Sequence, residues 1–510
     1  MSAFAAPRAF ARRNPNALLV LVCLAQLMVI LDVSIVNVAL PSIKGGLRFS
    51  TTGLQWVVNA YTLTFAGFLL LGGRAADLLG RRRVFLAGTA LFSLASLGCA
   101  LASSSSMLIG ARALQGIGGA VISPASLAII TTSFERPHER NRALGALLGG
   151  VLTQGLGWPA IFLVNVPIGL LVLLVAPGLV PEGRSELDHK HFDVLGASLV
   201  TGALTALVYG IVRTDTLGWG SPGVLAPLLV GVVLLAAFVL VEGRFARAPL
   251  VPLPIFRMRT LRAANVVVFL LYSAVFAMWF FLSLYLQQVL HRDALSAGLA
   301  FVPMTLSVVL ATSFAPRLVQ RFGTRAVIAS GMVLSGAGLL LLTGVRPGGS
   351  YVAQVLPGGV LSALGLGLAL VPATIAAVSG VPGSQSGLAS GLLNTSRLIG
   401  GALGLAALST IAASQTRAAI HAGTSSVSAL SGGFQLAFGV SAGVSLLGAL
   451  VAVVLLRPSR SVGVEPPTAL VAAPEPLAEV PGRGVARPAA PSARRVLRRT
   501  RAGARALARR

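Results

Sequence analysis

The stretch Gly72-Gly73-Arg74-Ala75-Ala76-Asp77-Leu78-Leu79-Gly80-Arg81-Arg82-Arg83 separates two long apolar runs, residues 54–71 and 84–102. Each run is long enough to cross a hydrocarbon core of about 30 Å, because a helix rises about 1.5 Å per residue. The stretch itself is polar, its glycines permit a tight turn, and its arginines are typical of the cytoplasmic edge of a membrane. The sequence therefore predicts two spans joined by a short cytoplasmic loop.

The composition extends this prediction to the whole chain. Of 510 residues, 55% are hydrophobic and only 11% are charged, whereas soluble domains are about 25% charged. The net charge of +26 does not indicate nucleic-acid binding, because the arginines lie between apolar runs and in the C-terminal region, as the positive-inside rule requires. Cys23 and Cys99 both lie in apolar runs, which indicates neither a disulfide framework nor a metal site.

The chain contains about fourteen apolar segments, of which the fifth is only about half a span long. The segments cover residues 17–40, 54–71, 84–102, 107–132, 143–153, 160–180, 194–212, 223–241, 263–289, 295–315, 326–343, 351–378, 398–413 and 434–456. Basic loops alternate with loops that are poor in basic residues, so both termini are predicted to be cytoplasmic. We therefore predict a multi-pass protein of a bacterial-type plasma (inner) membrane.

A second copy of the opening stretch, Pro316-Arg317-Leu318-Val319-Gln320-Arg321-Phe322-Gly323-Thr324-Arg325, lies between the tenth and eleventh segments. We take Arg317, Arg321, Gly323 and Arg325 as the residues of this repeat loop. An internal repeat of this kind builds many transporters, which bind substrate between their two halves. A chance match to a short pattern is the alternative, but the predicted sidedness of the second copy favours a repeat.

Asp32 lies inside the first segment, where a carboxylate is costly unless it is paired, hydrated or protonated. Such a group suits the binding and release of a proton, so Asp32 is the main candidate for proton coupling. The alternative is a structural acid that hydrogen-bonds a neighbouring helix. Arg112 lies at a similar depth in the fourth segment, which permits an ion pair with Asp32. The alternative interpretation is that the guanidinium of Arg112 extends to the outer interface of the membrane.

The opening stretch resembles the signature loop of the major facilitator superfamily, Gly-x-Leu-Ala-Asp-Arg-x-Gly-Arg-Arg. Its glycines, its acid and its last two arginines match, whereas Ala75 and Leu78 depart from the pattern. Residues 31–41, Leu-Asp-Val-Ser-Ile-Val-Asn-Val-Ala-Leu-Pro, are similar to a motif of the superfamily's 14-helix drug:proton antiporter branch. Residues 112–120, which begin Arg-Ala-Leu-Gln-Gly, resemble the superfamily's fourth-segment motif, which is linked to proton transfer. Further stretches that look like this branch are residues 162–169, 192–196, 285–288 and 390–397.

The resemblance implies an all-α polytopic membrane protein of the major facilitator fold, with two six-helix bundles and two extra central helices. It also implies that Arg112 modulates proton transfer at Asp32. A cytoplasmic latch that stabilises one state of an alternating-access cycle is implied for Gly73, Asp77, Gly80, Arg81 and Arg82. The candidate residues of a substrate cavity, which alternatively only bond across helices, are Gln26, Asn37, Gln287, Gln288 and Asn394.

The predicted organisation has five parts. They are a cytoplasmic N-terminus (residues 1–16), an N-terminal helical bundle (17–180), two linker transmembrane helices with cytoplasmic loops (181–262), a C-terminal helical bundle (263–456) and a disordered basic cytoplasmic tail (457–510).

The fifth segment departs from the antiporter pattern. The branch carries a glycine- and proline-rich motif there that is tied to antiport, whereas here Gly145 is followed almost at once by Gly149 and Gly150. Relative to the pattern roughly 15 residues are missing, which is enough to turn a span into a stub.

We predict a secondary active transporter that exports small amphiphilic compounds or drugs in exchange for protons, as in antibiotic resistance. The sequence shows no Gly-x-x-x-x-Gly-Lys phosphate loop, catalytic triad or metal constellation, so we expect neither an enzyme nor a cofactor beyond the proton gradient. The expected partners are a small-molecule substrate, protons and the lipid bilayer, without nucleotide or nucleic acid, and the chain is expected to be a monomer. The alternatives are a narrow metabolite exporter or importer of the same fold, and a membrane protein whose transport is impaired by the shortened fifth segment.

Overall fold

The computed structural model describes residues 15–133, 158–180, 193–246, 249–381 and 385–456. Within these ranges the chain is a bundle of helices without a strand, as predicted. The helices are α1 (Pro15–Gly46), α2 (Thr51–Leu54), α3 (Trp56–Leu79), α4 (Arg81–Ala100), α5 (Ser105–Ser133), α6 (Ala160–Leu163), α7 (Asn165–Leu179), α8 (Val194–Leu217), α9 (Pro222–Leu240), α10 (Arg259–Leu284), α11 (Ala294–Ala300), α12 (Val302–Phe322), α13 (Thr324–Leu342), α14 (Leu356–Val378), α15 (Ser386–His421) and α16 (Ser426–Leu455).

Most of these helices have the dimensions of membrane spans. Eleven helical stretches of the described chain are long and apolar enough to cross a bilayer, and α1 adds a twelfth when its two bent parts are counted as one. The remaining long helix, α5, has 29 residues. The predicted segments are therefore helical wherever the structure describes them. The shortened fifth segment (143–153) and the C-terminal tail (457–510) lie outside the described residues.

The stretch that begins at Gly72 is not a loop along its length, and this prediction was wrong. The helix α3 continues through Asp77 to Leu79, and α4 begins at Arg81. Gly80 alone breaks the helices, with φ 101° and ψ 128°. A residue with a Cβ is strained at such a positive φ, so glycine allows the two helices to meet without a linker.

The second copy of the stretch has the same geometry. The helix α12 ends at Phe322, Gly323 has φ 80° and ψ 159°, and α13 begins at Thr324. Both copies therefore place one glycine of positive φ between two helices that follow each other directly. This shared backbone conformation supports the internal repeat more strongly than the partial match in side chains does.

The helices form two halves that pack mainly within themselves. In the first half, α3 and α4 pack against α5, and α7 packs against α1 and α4; in the second half, α10 packs against α15 and α16, and α13 packs against α14 and α16. The hairpin of α8 and α9 lies against both halves, because α8 contacts α3 and α15. The helices α3 and α15 also pack against each other, which makes them the main contact between the halves. We call the end of the bundle where α1 ends the Gly46 end, and the opposite end the Gly80 end.

Glycines allow α3 and α5 to approach each other closely. A Cβ at Gly116 of α5 would lie 2.3 Å from the carbonyl oxygen of Tyr61 and 2.2 Å from Oγ1 of Thr64 on α3. The Thr64 hydroxyl donates across the same contact to the carbonyl of Ala113, at 2.8 Å. Small residues at helix contacts are a common means of association in membranes, where backbone proximity improves van der Waals packing.

We expect Gly116→Ala to lower the melting temperature of the purified protein, because its new methyl group would collide with backbone atoms of α3. Overpacking of this kind costs about 1–3 kcal/mol. Gly110→Ala is the matched control, since it lies on the same helix with no atom within 4 Å of its Cβ position. If both variants melt at the wild-type temperature, the close α3–α5 contact does not contribute to stability.

Candidate functional site

The helix α1 bends at the position of the predicted acid. Its parts Val20–Val33 and Ile35–Gly46 meet at an angle of 43°, so the bend lies two residues after Asp32. The Asn37 side-chain amide donates to the Val33 carbonyl at 3.0 Å. A side chain that bonds the backbone within a helix competes with the helical ladder and favours such a bend.

Asp32 and Arg112 form a buried ion pair. The Arg112 Nη1 atom lies 2.5 Å from Oδ2 of Asp32, and both residues are only 1% exposed. The Arg112 Nε–H donates to the carbonyl of Val57 on α3 at 2.9 Å, and the guanidinium lies 4.4 Å from the centre of the Tyr61 ring. Asp32 and Arg112 were predicted to lie at similar depths in their segments, which permitted an ion pair, and this ion pair is present. The alternative that Arg112 extends to the outer interface is wrong.

Gln115 joins the two charged groups. Its Nε2 donates to Oδ1 of Asp32 at 2.8 Å, and its Oε1 accepts from Arg112 Nη1 at 2.8 Å. Asn165 of α7 donates to Oδ1 of Asp32 at 3.5 Å and to Oγ of Ser96 at 3.1 Å. The helices α1, α4, α5 and α7 thus all contribute side chains to one enclosed network, and α3 contributes a carbonyl.

Three members of this network were not predicted from the sequence as site residues. Gln115 lies three residues after Arg112 and therefore on the same face of α5, which was a usable signal. Asn165 and Ser96 are single polar residues in apolar segments, and all three side chains are fully buried. Polar side chains inside a span are costly unless they have partners, so each of them indicates a hydrogen-bond partner on another helix.

Proton binding at Asp32 would remove the charge balance of the ion pair. Both oxygens of the Asp32 carboxylate already accept hydrogen bonds from neighbouring side chains. A proton that binds to this carboxylate neutralises it, so the contact with Arg112 loses its charge attraction even where a hydrogen bond remains. Because a buried charge without a partner is strongly unfavourable, Arg112 would then move to another acceptor. Protonation of Asp32 is therefore linked to the position of Arg112.

The predicted latch residues lie around the break between α3 and α4. Gly73 and Asp77 are in the last turns of α3, and the side chain of Asp77 lies outside what the structure describes. Arg82 donates to the carbonyl of Pro177 in α7 at 3.4 Å, and Arg81 is half-buried. The arginine cluster is thus joined to α7, while the latch role of Asp77 stays a prediction.

The residues of the repeat loop make simpler contacts. The guanidinium of Arg317 lies 5.5 Å from the ring centre of Phe314, and that of Arg321 lies 5.2 Å from the ring centre of Phe322. Both arginines are exposed, whereas Arg325 is half-buried at the start of α13.

The five candidate cavity residues do not gather at one place. Gln26 donates to Ser123 of α5 at 3.3 Å. At the Gly46 end, by contrast, Gln287 donates to the Val38 carbonyl at 2.8 Å and the Ser283 hydroxyl donates to the Asn37 carbonyl. Ser283 lies in α10 and Gln287 in the π-helical turn Tyr285–Val289 that continues it. We call these two hydrogen bonds between the halves the α1–α10 contact. The other two candidates, Gln288 and Asn394, are half-buried.

The two cysteines lie in different environments. Cys23 is exposed, whereas Cys99 is buried and its thiol lies 3.6 Å from Oε1 of Gln115. No cluster of three or more His, Cys, Asp or Glu side chains suited to a metal occurs in the described part of the chain.

Comparison with known proteins identifies a family. A family model described as the Major Facilitator Superfamily matches residues 22–405 and 264–502. The cephamycin export protein CmcT of Amycolatopsis lactamdurans is 42% identical over 413 residues, which cover 78% of this chain and 85% of that relative. The puromycin resistance protein pur8 of Streptomyces alboniger is 39% identical over 459 residues, which cover 86% of this chain and 90% of that relative.

A solved structure has the same architecture. The nucleoside transporter NupG superposes with a TM-score of 0.61 at 12% sequence identity, covering 87% of this chain and 100% of its own. At this identity the likeness shows the fold alone.

Proposed function

This chain belongs to the major facilitator superfamily, and we propose that it exports small amphiphilic compounds in exchange for protons. Its relatives are named for the export of cephamycin and for resistance to puromycin, which supports export over uptake. The proton gradient is the only energy source in this proposal, and the protein acts without a cofactor.

The observation that carries the coupling mechanism is the enclosed Asp32–Arg112 pair. A carboxylate at 1% exposure inside a span is stable only with a partner, and it has two competing partners, a proton and a guanidinium. When Asp32 binds a proton, Arg112 is released and the packing of α1, α4, α5 and α7 around the pair changes. Because α1 also bears the α1–α10 contact, that change reaches the interface between the halves.

The export proposal is tested by the accumulation of puromycin in cells with and without the protein. We expect lower accumulation in cells that contain the protein, and we expect a protonophore to abolish the difference. Equal accumulation in both cell types would refute export of this compound. A difference that survives the protonophore, with ATP levels held constant, would refute proton coupling alone.

We also propose that the Gly80 end faces the cytoplasm of a plasma membrane, because the arginines of the opening stretch lie there. In a protein whose two native cysteines are replaced, Leu79→Cys should react with a membrane-impermeant maleimide only after the cells are opened. Ser104→Cys is the control at the opposite end and should react in intact cells. Both side chains are exposed at these positions. The reverse labelling pattern would invert the proposed topology.

The shortened fifth segment motivates the alternative that transport is impaired. Insertion of about 15 glycine-rich apolar residues after Gly145 would restore a full span. We expect the insertion to raise both the melting temperature and the rate of puromycin export, because a stub leaves backbone groups without partners in lipid. If the chain as it stands exports as well as the extended one, the missing residues do not matter for transport.

A further inference from the structure

Two buried amide side chains of α3 lack hydrogen-bond partners. Gln55 and Asn59 are separated by one helical turn, so they lie on the same face, and both are 0% exposed. None of their four side-chain nitrogen and oxygen atoms has a partner among the residues that the structure describes. Buried polar groups in proteins are nearly always paired, and an exception calls for an explanation.

The face that bears these amides points to the other half of the protein. Leu63, the next residue on this face, belongs to one buried cluster with Ala402 and Ala406 of α15, to which α8 also contributes. The helices α3 and α15 run in opposite directions, since Leu70, further along α3, contacts the earlier residue Gly391 of α15. Moving along α3 from Leu63 back to Gln55 therefore corresponds to moving forward along α15, toward the Gly46 end.

A third side chain without a partner lies on the facing helix. Ser409 follows Ala406 by three residues and so shares its face of α15, and its buried hydroxyl has no partner within the described ranges. The short helix α2, which directly precedes Gln55, also contacts α15. We call Gln55, Asn59 and Ser409 the seam cluster. Its members come from both halves and lie near the Gly46 end.

The charges around the seam cluster limit what it can bind. The helix α15 contains no aspartate or glutamate, and the only acid of α3, Asp77, is at the Gly80 end. Neither α3 nor α15 therefore offers a carboxylate near the cluster that could pair with a cationic group. Two amides and a hydroxyl supply both donors and acceptors, which match the uncharged amide and hydroxyl groups of a small molecule.

We propose that the seam cluster is an exit-side binding site for the uncharged amide and hydroxyl groups of the exported compound. This inference rests on the proposed export function. When the Gly46 end opens, the two halves separate along this seam and the cluster becomes accessible to substrate that leaves the protein. Closure of the Gly46 end requires the amides to give up their hydrogen bonds to substrate. Closure is therefore disfavoured while substrate is bound to the cluster.

The test uses two export probes of different chemistry. Chloramphenicol is an uncharged molecule with an amide and two hydroxyls, whereas tetraphenylphosphonium is a lipophilic cation without hydrogen-bonding groups. We expect the double variant Gln55→Leu/Asn59→Leu to raise the KM for chloramphenicol export by about tenfold, with export of tetraphenylphosphonium unchanged. We expect its melting temperature to equal or exceed that of the wild type, because replacing unpaired polar groups by apolar ones of similar shape is neutral or stabilising.

Thr62→Val is the matched control. Thr62 is buried on the same helix and its hydroxyl already donates to the Val58 carbonyl at 2.9 Å, so this variant should export both probes as the wild type does. An equal loss of both probes in the double variant, with a lower melting temperature, would assign the amides to packing and overturn the inference. Unchanged export of chloramphenicol would also overturn it.

Failure of the export function itself would give a different result. If the wild type exports neither these probes nor puromycin, the proposed export of such compounds is refuted, and the thermal shift of purified protein with chloramphenicol tests the seam cluster alone. A shift that is present in the wild type and lost in the double variant supports the site. The same shift in both proteins, or no shift in either, overturns it.

Discussion

Asp32→Asn is expected to reduce proton-driven export to the level of cells that lack the protein. Asparagine keeps the size of the side chain but neither binds a proton at neutral pH nor balances the guanidinium of Arg112. The variant should also be less stable by about 3–5 kcal/mol, because it leaves Arg112 as a buried charge without its partner. Export driven by a pH gradient in proteoliposomes and the melting temperature of the purified protein measure the two effects separately.

A second variant separates coupling from stability. In Asp32→Asn/Arg112→Gln both charges of the pair are removed, so the unpaired guanidinium no longer destabilises the fold. We expect the double variant to recover most of the lost melting temperature and none of the lost export. If the double variant exports as the wild type does, or if Asp32→Asn alone does so, Asp32 is a structural acid and the proton binds elsewhere.

Ser283→Ala is expected to open the Gly46 end. Pro41 has no backbone N–H, so the carbonyl of Asn37, four residues earlier in α1, lacks its usual helical donor. The Ser283 hydroxyl of α10 supplies this donor in the α1–α10 contact. Without it, the closed state contains an unsatisfied buried carbonyl at a cost of about 1–3 kcal/mol, whereas water satisfies the same carbonyl in the open state.

This difference shifts the equilibrium toward the open Gly46 end by about 5-fold to 150-fold. The shift is measured as the labelling rate of Leu40→Cys, a position that is fully buried in the closed state, on a background without the native cysteines. Ser441→Ala is the control, because Ser441 is equally buried but donates only to Ala437 of its own helix. Equal labelling rates in the two serine variants would contradict a closing role for the α1–α10 contact.

The sequence by itself determined the class of the fold and the positions of its helices. In a bilayer the backbone must satisfy its own hydrogen bonds, so an apolar run of about 20 residues can only be a helix. The same rule does not locate helix ends, because a helix that leaves the hydrocarbon can continue in polar residues. The polar stretch around Asp77 was therefore predicted as a loop, although only Gly80 leaves the helical conformation.

Only the tertiary structure decided which polar groups meet. The predicted depths of Asp32 and Arg112 in their segments permitted an ion pair. The convergence of Gln115, Asn165 and Ser96 on that pair depends on how four helices are rotated about their axes. That rotation is set by the packing of side chains across helix contacts, such as the close approach at Gly116. In the same way, Pro41 reveals in the sequence a carbonyl without its helical donor, and only packing of the two halves supplies Ser283, 246 residues from Asn37, as the replacement.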